Sequence, residues 1–233
     1  MKKEVSKAAK RYEEELRKEI NEDREKHGKK PFSDDDQNPP ETKETTESII
    51  DPECGIFHKG EHRKCFAYTA QTACDRYGYM LDVTLNSGDV HDSTAFDVLY
   101  TRLKEKFPQM HFVVMDCGYK TPWICKKVLD DERVPVLPYK RPMGKKVFFP
   151  SYEYIYNAYY NCVLCPENHV LPYVTTDRKG YRQFKSNPCH CKNCPSKSKC
   201  TESKKCQKVV ARHIWSDYLE LVEDIRHTAG MKE

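Results

Sequence analysis

The stretch His111-Phe112-Val113-Val114-Met115-Asp116-Cys117-Gly118-Tyr119-Lys120-Thr121 constrains this chain more than any other. A short apolar run closes on an acid, and a turn glycine follows. Thr121-Pro122 then offers a helix start, because proline is tolerated in a helix's first turn. In that order a buried strand delivers one carboxylate, Asp116, to the carboxyl edge of a sheet. A carboxylate placed there can hold a divalent cation, but phosphoryl chemistry needs further acids beside it.

The flanking pattern extends this into an α/β unit over 49–150. Lys64 to Cys74 and Tyr79 to Leu85 read as strands joined by Asp75-Arg76-Tyr77-Gly78, a hairpin turn. Asn86 to Asp92 is a loop punctuated by Gly88. Asp92 or Ser93 then caps a helix through about Phe107, with Ala95, Phe96, Leu99, Tyr100 and Leu103 on one face. Phe112 to Met115 is expected as a buried strand, Pro122 opens a short helix, and Val134 to Leu137 is a last strand. Helices that follow strands imply parallel pairing in part of the sheet.

Outside this unit the pattern changes. Within 1–48, Val5, Ala8, Ala9, Tyr12, Leu16 and Ile20 form a narrow apolar helical stripe, and Gly28 suits a left-handed cap. Pro31 to Ser48 is acidic and proline-containing, which predicts a disordered connector. Residues 151–206 are rich in tyrosine and cysteine with little helical period. Residues 207–233 read as an amphipathic helix with Ile214, Tyr218, Leu221, Val222 and Ile225 on one side.

The chain has 233 residues, of which 33% are charged, and its mean hydropathy is -0.86, so part of it is expected to lie outside a core. A net charge of +4 permits nucleic acid as a partner without requiring it. No apolar run approaches the roughly 20 residues of a membrane span, and no signal-peptide pattern opens the sequence. A cytoplasmic protein with no membrane partner is the expectation.

In such a compartment the 12 cysteines point to metal or free thiols rather than disulfides. Cys54, Cys65, Cys74, Cys117 and Cys125 are scattered and are expected to be small buried hydrophobes. The other seven fall between Cys162 and Cys206. Cys162-Val163-Leu164-Cys165 and Cys191-Lys192-Asn193-Cys194 are C-x-x-C knuckles, each followed by proline, and together they offer four thiolates to one structural Zn²⁺. Cys189, Cys200 and Cys206 are alternates, and His169 and His190 are further candidates. The competing reading is a set of reduced surface thiols. Lys192, Lys197, Lys199, Lys204, Lys205 and Lys208 surround the cluster and can meet phosphates. Cys117, between Asp116 and a helix start, raises a weaker reading as a dipole-stabilised thiolate.

The order of these pieces resembles the bacterial insertion-sequence transposases of the DDE class. Asp75, then Asn86-Ser87-Gly88-Asp89-Val90-His91-Asp92-Ser93, then Val113-Val114-Met115-Asp116-Cys117-Gly118-Tyr119 carry the resemblance. So do Leu137-Pro138-Tyr139-Lys140-Arg141-Pro142, the double knuckle, and the tail from Arg212-His213-Ile214-Trp215 to Asp224-Ile225-Arg226-His227-Thr228. The resemblance implies an α/β fold: an incomplete ribonuclease H-like mixed sheet with flanking helices, plus a small zinc-ribbon-like insertion. It implies two-metal phosphoryl transfer with Mg²⁺, DNA as partner, and assembly as a homo-oligomer. Asp116 matches the second of the family's three acids. The first is expected upstream of Met1 and the third beyond Glu233, so the chain reads as a truncated internal fragment. Such a fragment, with open sheet edges, is expected to aggregate or order only in part. Among acids within the chain, Asp75 is expected to serve its turn and Asp92 to cap its helix. Glu220, Glu223 and Asp224 are expected to face water. His91, beside Asp92, can approach the site from a loop. The alternative function is a non-enzymatic, zinc-stabilised nucleic-acid-binding remnant, and a decayed product without function is a third.

Overall fold

The computed structural model describes residues 2–33, 46–59, 63–140 and 147–228. Most of the expected connector therefore lies outside the described residues, as do Arg141 and Pro142. Two units form: one gathers Met1–Glu15, Ser33–Tyr139 and Asp217–Glu233, the other Leu16–Phe32 and Lys140–Ser216.

In the first unit, β1 (Gly55–Lys59), β2 (Arg63–Cys74) and β3 (Met80–Ser87) make an antiparallel sheet in that order. The β2–β3 turn is built as its residues predict. Asp75 Oδ1 accepts from the backbone N–H of Tyr77 and Tyr79, both at 2.9 Å, and Gly78 takes φ +87°, which glycine adopts without steric cost. Helix α2 (Asp92–Lys106) buries Ala95, Phe96, Leu99, Tyr100 and Leu103, the expected face. Its cap differs from expectation. His91 takes the N-cap position and its Nδ1 accepts from Ser93 N at 3.2 Å, which leaves Asp92 inside the first turn with its carboxylate unspent on capping.

Strand β4 (Phe112–Val114) pairs in parallel with β5 (Val134–Val136), and α3 (Pro122–Asp130) connects them behind its Thr121 cap. Phe96, Tyr100, Ile124 and Val128 form one core cluster, and Cys125, Leu137 and Val222 another. The expected buried strand is only partly buried: Phe112 is 58% and Val114 77% exposed. A strand of a parallel sheet is covered on both faces only when helices and neighbouring strands enclose it. Here β4 and β5 form a two-stranded sheet separate from β1–β3 among the described residues, so one continuous mixed sheet does not form. Strand β1 was not anticipated at all, because five residues that include glycine and lysine carry too little pattern.

An ion-pair cluster ties β3 to α2. Arg102 meets both Asp82 oxygens at 3.1 Å, and Lys106 Nζ lies 2.8 Å from Oδ2. These cationic donors hold the Asp82 carboxyl well below the ordinary carboxylate range. A carboxyl depressed in the folded state stabilises above its unfolded pKa, about 3.9, and loses that contribution as pH falls toward the folded value. Thermal midpoints measured from pH 5 down to pH 2 are expected to fall less steeply for Asp82→Asn than for the parent chain. Parallel slopes would show that the cluster contributes nothing.

The second unit is a five-stranded antiparallel sheet in the order β10-β9-β8-β7-β6: β6 (Ile155–Asn157), β7 (Cys162–Leu164), β8 (Val170–Thr176), β9 (Tyr181–Lys185) and β10 (Val209–His213). Residues 209–213 were expected to be helical. They pair instead with β9, Val209 opposite Lys185 through His213 opposite Tyr181, and α5 begins only at Ser216. Val209 and Val210 are β-branched and suit an extended chain. Val163, Leu171 and Phe184 form this unit's core. Helix α1 (Lys2–Lys26) ends as its glycine predicts: Gly28 takes φ +66° and Lys29 N bonds to Arg24 O at 2.8 Å.

Candidate functional site

Asp116 follows β4 and caps the 3₁₀ turn Cys117–Tyr119, its Oδ1 accepting from Gly118 N at 2.7 Å. A Cβ at residue 118 would lie 3.0 Å from that oxygen, so glycine is what lets the backbone close on the carboxylate. The side chain is exposed, and among the described residues its second oxygen has no partner. This is the position the sequence pattern predicts: a carboxylate at the carboxyl end of a parallel strand.

Asp92 joins it through Tyr119. The Tyr119 hydroxyl is pushed up to about 12, first by burial and then by the nearby charges of Asp92 and Asp116. It therefore stays protonated at neutral pH and can donate a hydrogen bond. Asp92 Oδ1 accepts from Gln71 Nε2 at 3.3 Å, and the same amide bonds Asp92 O at 3.1 Å. Gln71 and Asn86 are each 5% exposed, and Gln71 Oε1 and Asn86 Nδ2 have no partner among the described residues. Buried polar atoms left unpaired are costly, so the Gln71 Oε1 atom near Asp92 suits an ordered water. Gln71 was not foreseen, since only the tertiary fold brings it to Asp92; Tyr119 lies in the turn that Asp116 caps, and no role had been read for it.

The remaining candidates are used elsewhere. His91 Nδ1 is engaged at the start of its own helix, 2.7 Å from Ser93 Oγ. Glu223 does not face open water as expected: it pairs with Lys120, whose side chain is only 9% exposed, and with Arg226 at 2.9 Å. Cys117 opens a three-residue turn rather than a helix, which removes the dipole that would have favoured its thiolate.

The outward oxygen of Asp116 is a donor that fits Mg²⁺, which keeps several waters and binds as few as one or two protein carboxylates. Among the described residues no group of three or more His, Cys, Asp or Glu side chains is assembled for a metal ion.

The cysteines divide. Cys165, Cys191, Cys194 and Cys200 line one small cavity together with His169 and His190. Cys162 does not: it is 7% exposed within β7 and pairs with Asn157 and Pro172. Cys189 is exposed, and Cys206 Sγ accepts from Lys197 Nζ at 3.0 Å. Tyr154 OH lies 3.1 Å from Cys200 Sγ, and Cys191 Sγ bonds Ser186 Oγ at 3.1 Å.

No described helix is long and apolar enough to cross a membrane. No curated protein and no solved structure matches the chain. Residues 164–233 match the family model of the transposase DDE domain. Over that carboxy-terminal segment the chain is similar to the transposase DDE domain.

Proposed function

We propose that this chain serves DNA strand cleavage and transfer at the ends of an insertion element, with Asp116 as one metal-binding carboxylate of the phosphoryl-transfer site. The observation that carries the reading is Asp116 itself. It is an exposed carboxylate at the carboxyl end of a parallel strand, and Asp92 shares its Tyr119 neighbour. The family match over 164–233 supports the reaction class.

In this reading each residue has a separate task. Gly118 N–H fixes one Asp116 oxygen and so aims the other outward. Asp92, held by Gln71, presents a second oxygen donor. Tyr119, protonated at neutral pH, donates to a carboxylate or phosphate oxygen. A bound Mg²⁺ supplies Lewis-acid neutralisation of phosphate charge and activation of the attacking hydroxyl. DNA is the substrate, and the family implies assembly of more than one copy. Replacing Asp116 with Asn is expected to weaken Mn²⁺ binding, read by electron paramagnetic resonance, at least tenfold and to abolish any Mg²⁺-dependent nicking of supercoiled plasmid. Unchanged ion binding and nicking would remove Asp116 from the mechanism.

A second reading, nucleic-acid binding without cleavage, is favoured by four exposed lysines in the cysteine-rich segment: Lys192, Lys199, Lys204 and Lys205. Salt-sensitive DNA binding that persists in Asp116→Asn, with no nicking by the parent chain, would select it.

A further inference from the structure

We infer that Cys165, Cys191, Cys194 and Cys200 bind one structural Zn²⁺, and that Cys162 is excluded from the set. The inference stands apart from the phosphoryl-transfer reading, since none of these residues belongs to the Asp116 site.

The exclusion follows from strand geometry. A C-x-x-C sequence converges its sulfurs only when the backbone turns between them. Here Cys162–Leu164 is extended, and successive side chains of a strand point to opposite faces. Val163 lies in the core with Leu171 and Phe184, and Cys165 packs against that same cluster. Cys162, next to Val163 in the strand, therefore faces the other way.

Cys200 takes the vacated place through a run of turns. Cys194 N bonds Cys191 O at 3.4 Å, Lys197 N bonds Cys194 O at 3.2 Å, and Cys200 N bonds Lys197 O at 3.0 Å. These successive turns keep the segment compact, and Cys191, Cys194 and Cys200 all line the same cavity. Cys165 reaches the same cavity from the loop after β7, where its sulfur accepts from His169 N at 3.4 Å. The cavity holds about 20 Å³, room for a single small occupant.

The surroundings are built for thiolates. Tyr154 OH beside Cys200, Ser186 Oγ beside Cys191 and His169 N beside Cys165 are donors that a sulfur anion would accept from. Ser186 is 4% exposed and held in place by Lys208 N at 2.8 Å. Binding turns the thiols inward, releases their four protons to solvent, and forms four Zn–S bonds of about 2.3 Å. Four soft thiolates in tetrahedral array select Zn²⁺ over hard cations and leave no open position for a substrate.

The test uses the full chain purified with zinc. Metal analysis is expected to find roughly one zinc per chain. Alkylation with iodoacetamide, mapped by mass spectrometry with and without a strong chelator, is expected to show Cys165, Cys191, Cys194 and Cys200 protected only when zinc is bound. Cys189 and Cys206 should react in both states, and buried Cys162 should react slowly in both. Cys200→Ser is expected to lose the zinc, while Cys162→Ser retains it. Because a ligand variant can fail for lack of folding, cobalt substitution of the parent chain gives an independent reading: a four-thiolate charge-transfer spectrum is expected. Absence of bound zinc, chelator-insensitive alkylation, a spectrum that reports a histidine ligand, or zinc lost on Cys162→Ser but kept on Cys200→Ser would each overturn the inference.

Discussion

Phe184→Ala is expected to destabilise the five-stranded unit by about 3–5 kcal/mol, the usual range for deleting a buried aromatic ring. Phe184 is fully buried on the central face of β9. Its ring centroid lies 5.7 Å from that of Tyr156 and 6.1 Å from that of Tyr173, with Val163 and Leu171 against it. Alanine would remove the one large side chain that strands β6, β7, β8 and β9 share, and an antiparallel sheet cannot close around the void without breaking its register. Urea unfolding followed by near-ultraviolet circular dichroism measures the effect. Tyr159→Ala, in the same unit, is the control. That ring is 88% exposed, so its removal is expected to shift stability by only about 0.5 kcal/mol. Equal effects of the two substitutions would show that the unit's core is not centred on Phe184.

Asp23→Ala should cost about 3–5 kcal/mol, because it strands a charge rather than a ring. Asp23 on α1 is 5% exposed. Its Oδ1 accepts from Arg182 Nη2 at 2.6 Å and Nε at 2.8 Å, and its Oδ2 accepts from Thr176 Oγ1 at 2.5 Å. Arg182 is itself only 19% exposed, so without the carboxylate its guanidinium keeps the desolvation cost and loses the main compensation. The double variant Asp23→Ala with Arg182→Met separates this account from simple loss of packing. Removing both charges is expected to recover much of the single loss. A double variant as unstable as the sum of the singles would show that the pair does not act as a unit.

How much of this was legible beforehand depends on whether the governing interaction is local. The Asp75–Gly78 turn, the buried face of α2, the Thr121-Pro122 helix start and the Gly28 cap all follow from patterns within a few residues. They formed as read. The α2 cap was misassigned because His91, Asp92 and Ser93 can each accept from the first helical N–H groups, and their order alone does not choose among them. Residues 209–213 were misread because Val210, Ile214 and Tyr218 fit a helical spacing, while the hydrogen-bonding edge of β9 that captures them lies more than twenty residues earlier.

The site divides along the same line. By itself the sequence determined that Asp116 ends a strand and that its turn needs a glycine. It also determined that a cluster of cysteines sits near the carboxy-terminal end. Those are properties of a single strand, a single turn and a local composition. Only the tertiary structure decided that Asp92 approaches Tyr119 in the turn that Asp116 caps, because α2 and that turn meet only when the helix packs against β4 and α3. It also decided that Cys200 rather than Cys162 shares a cavity with Cys165, Cys191 and Cys194. Spacing fixes how far apart two sulfurs can be, but the choice between strand and turn fixes which way each one points.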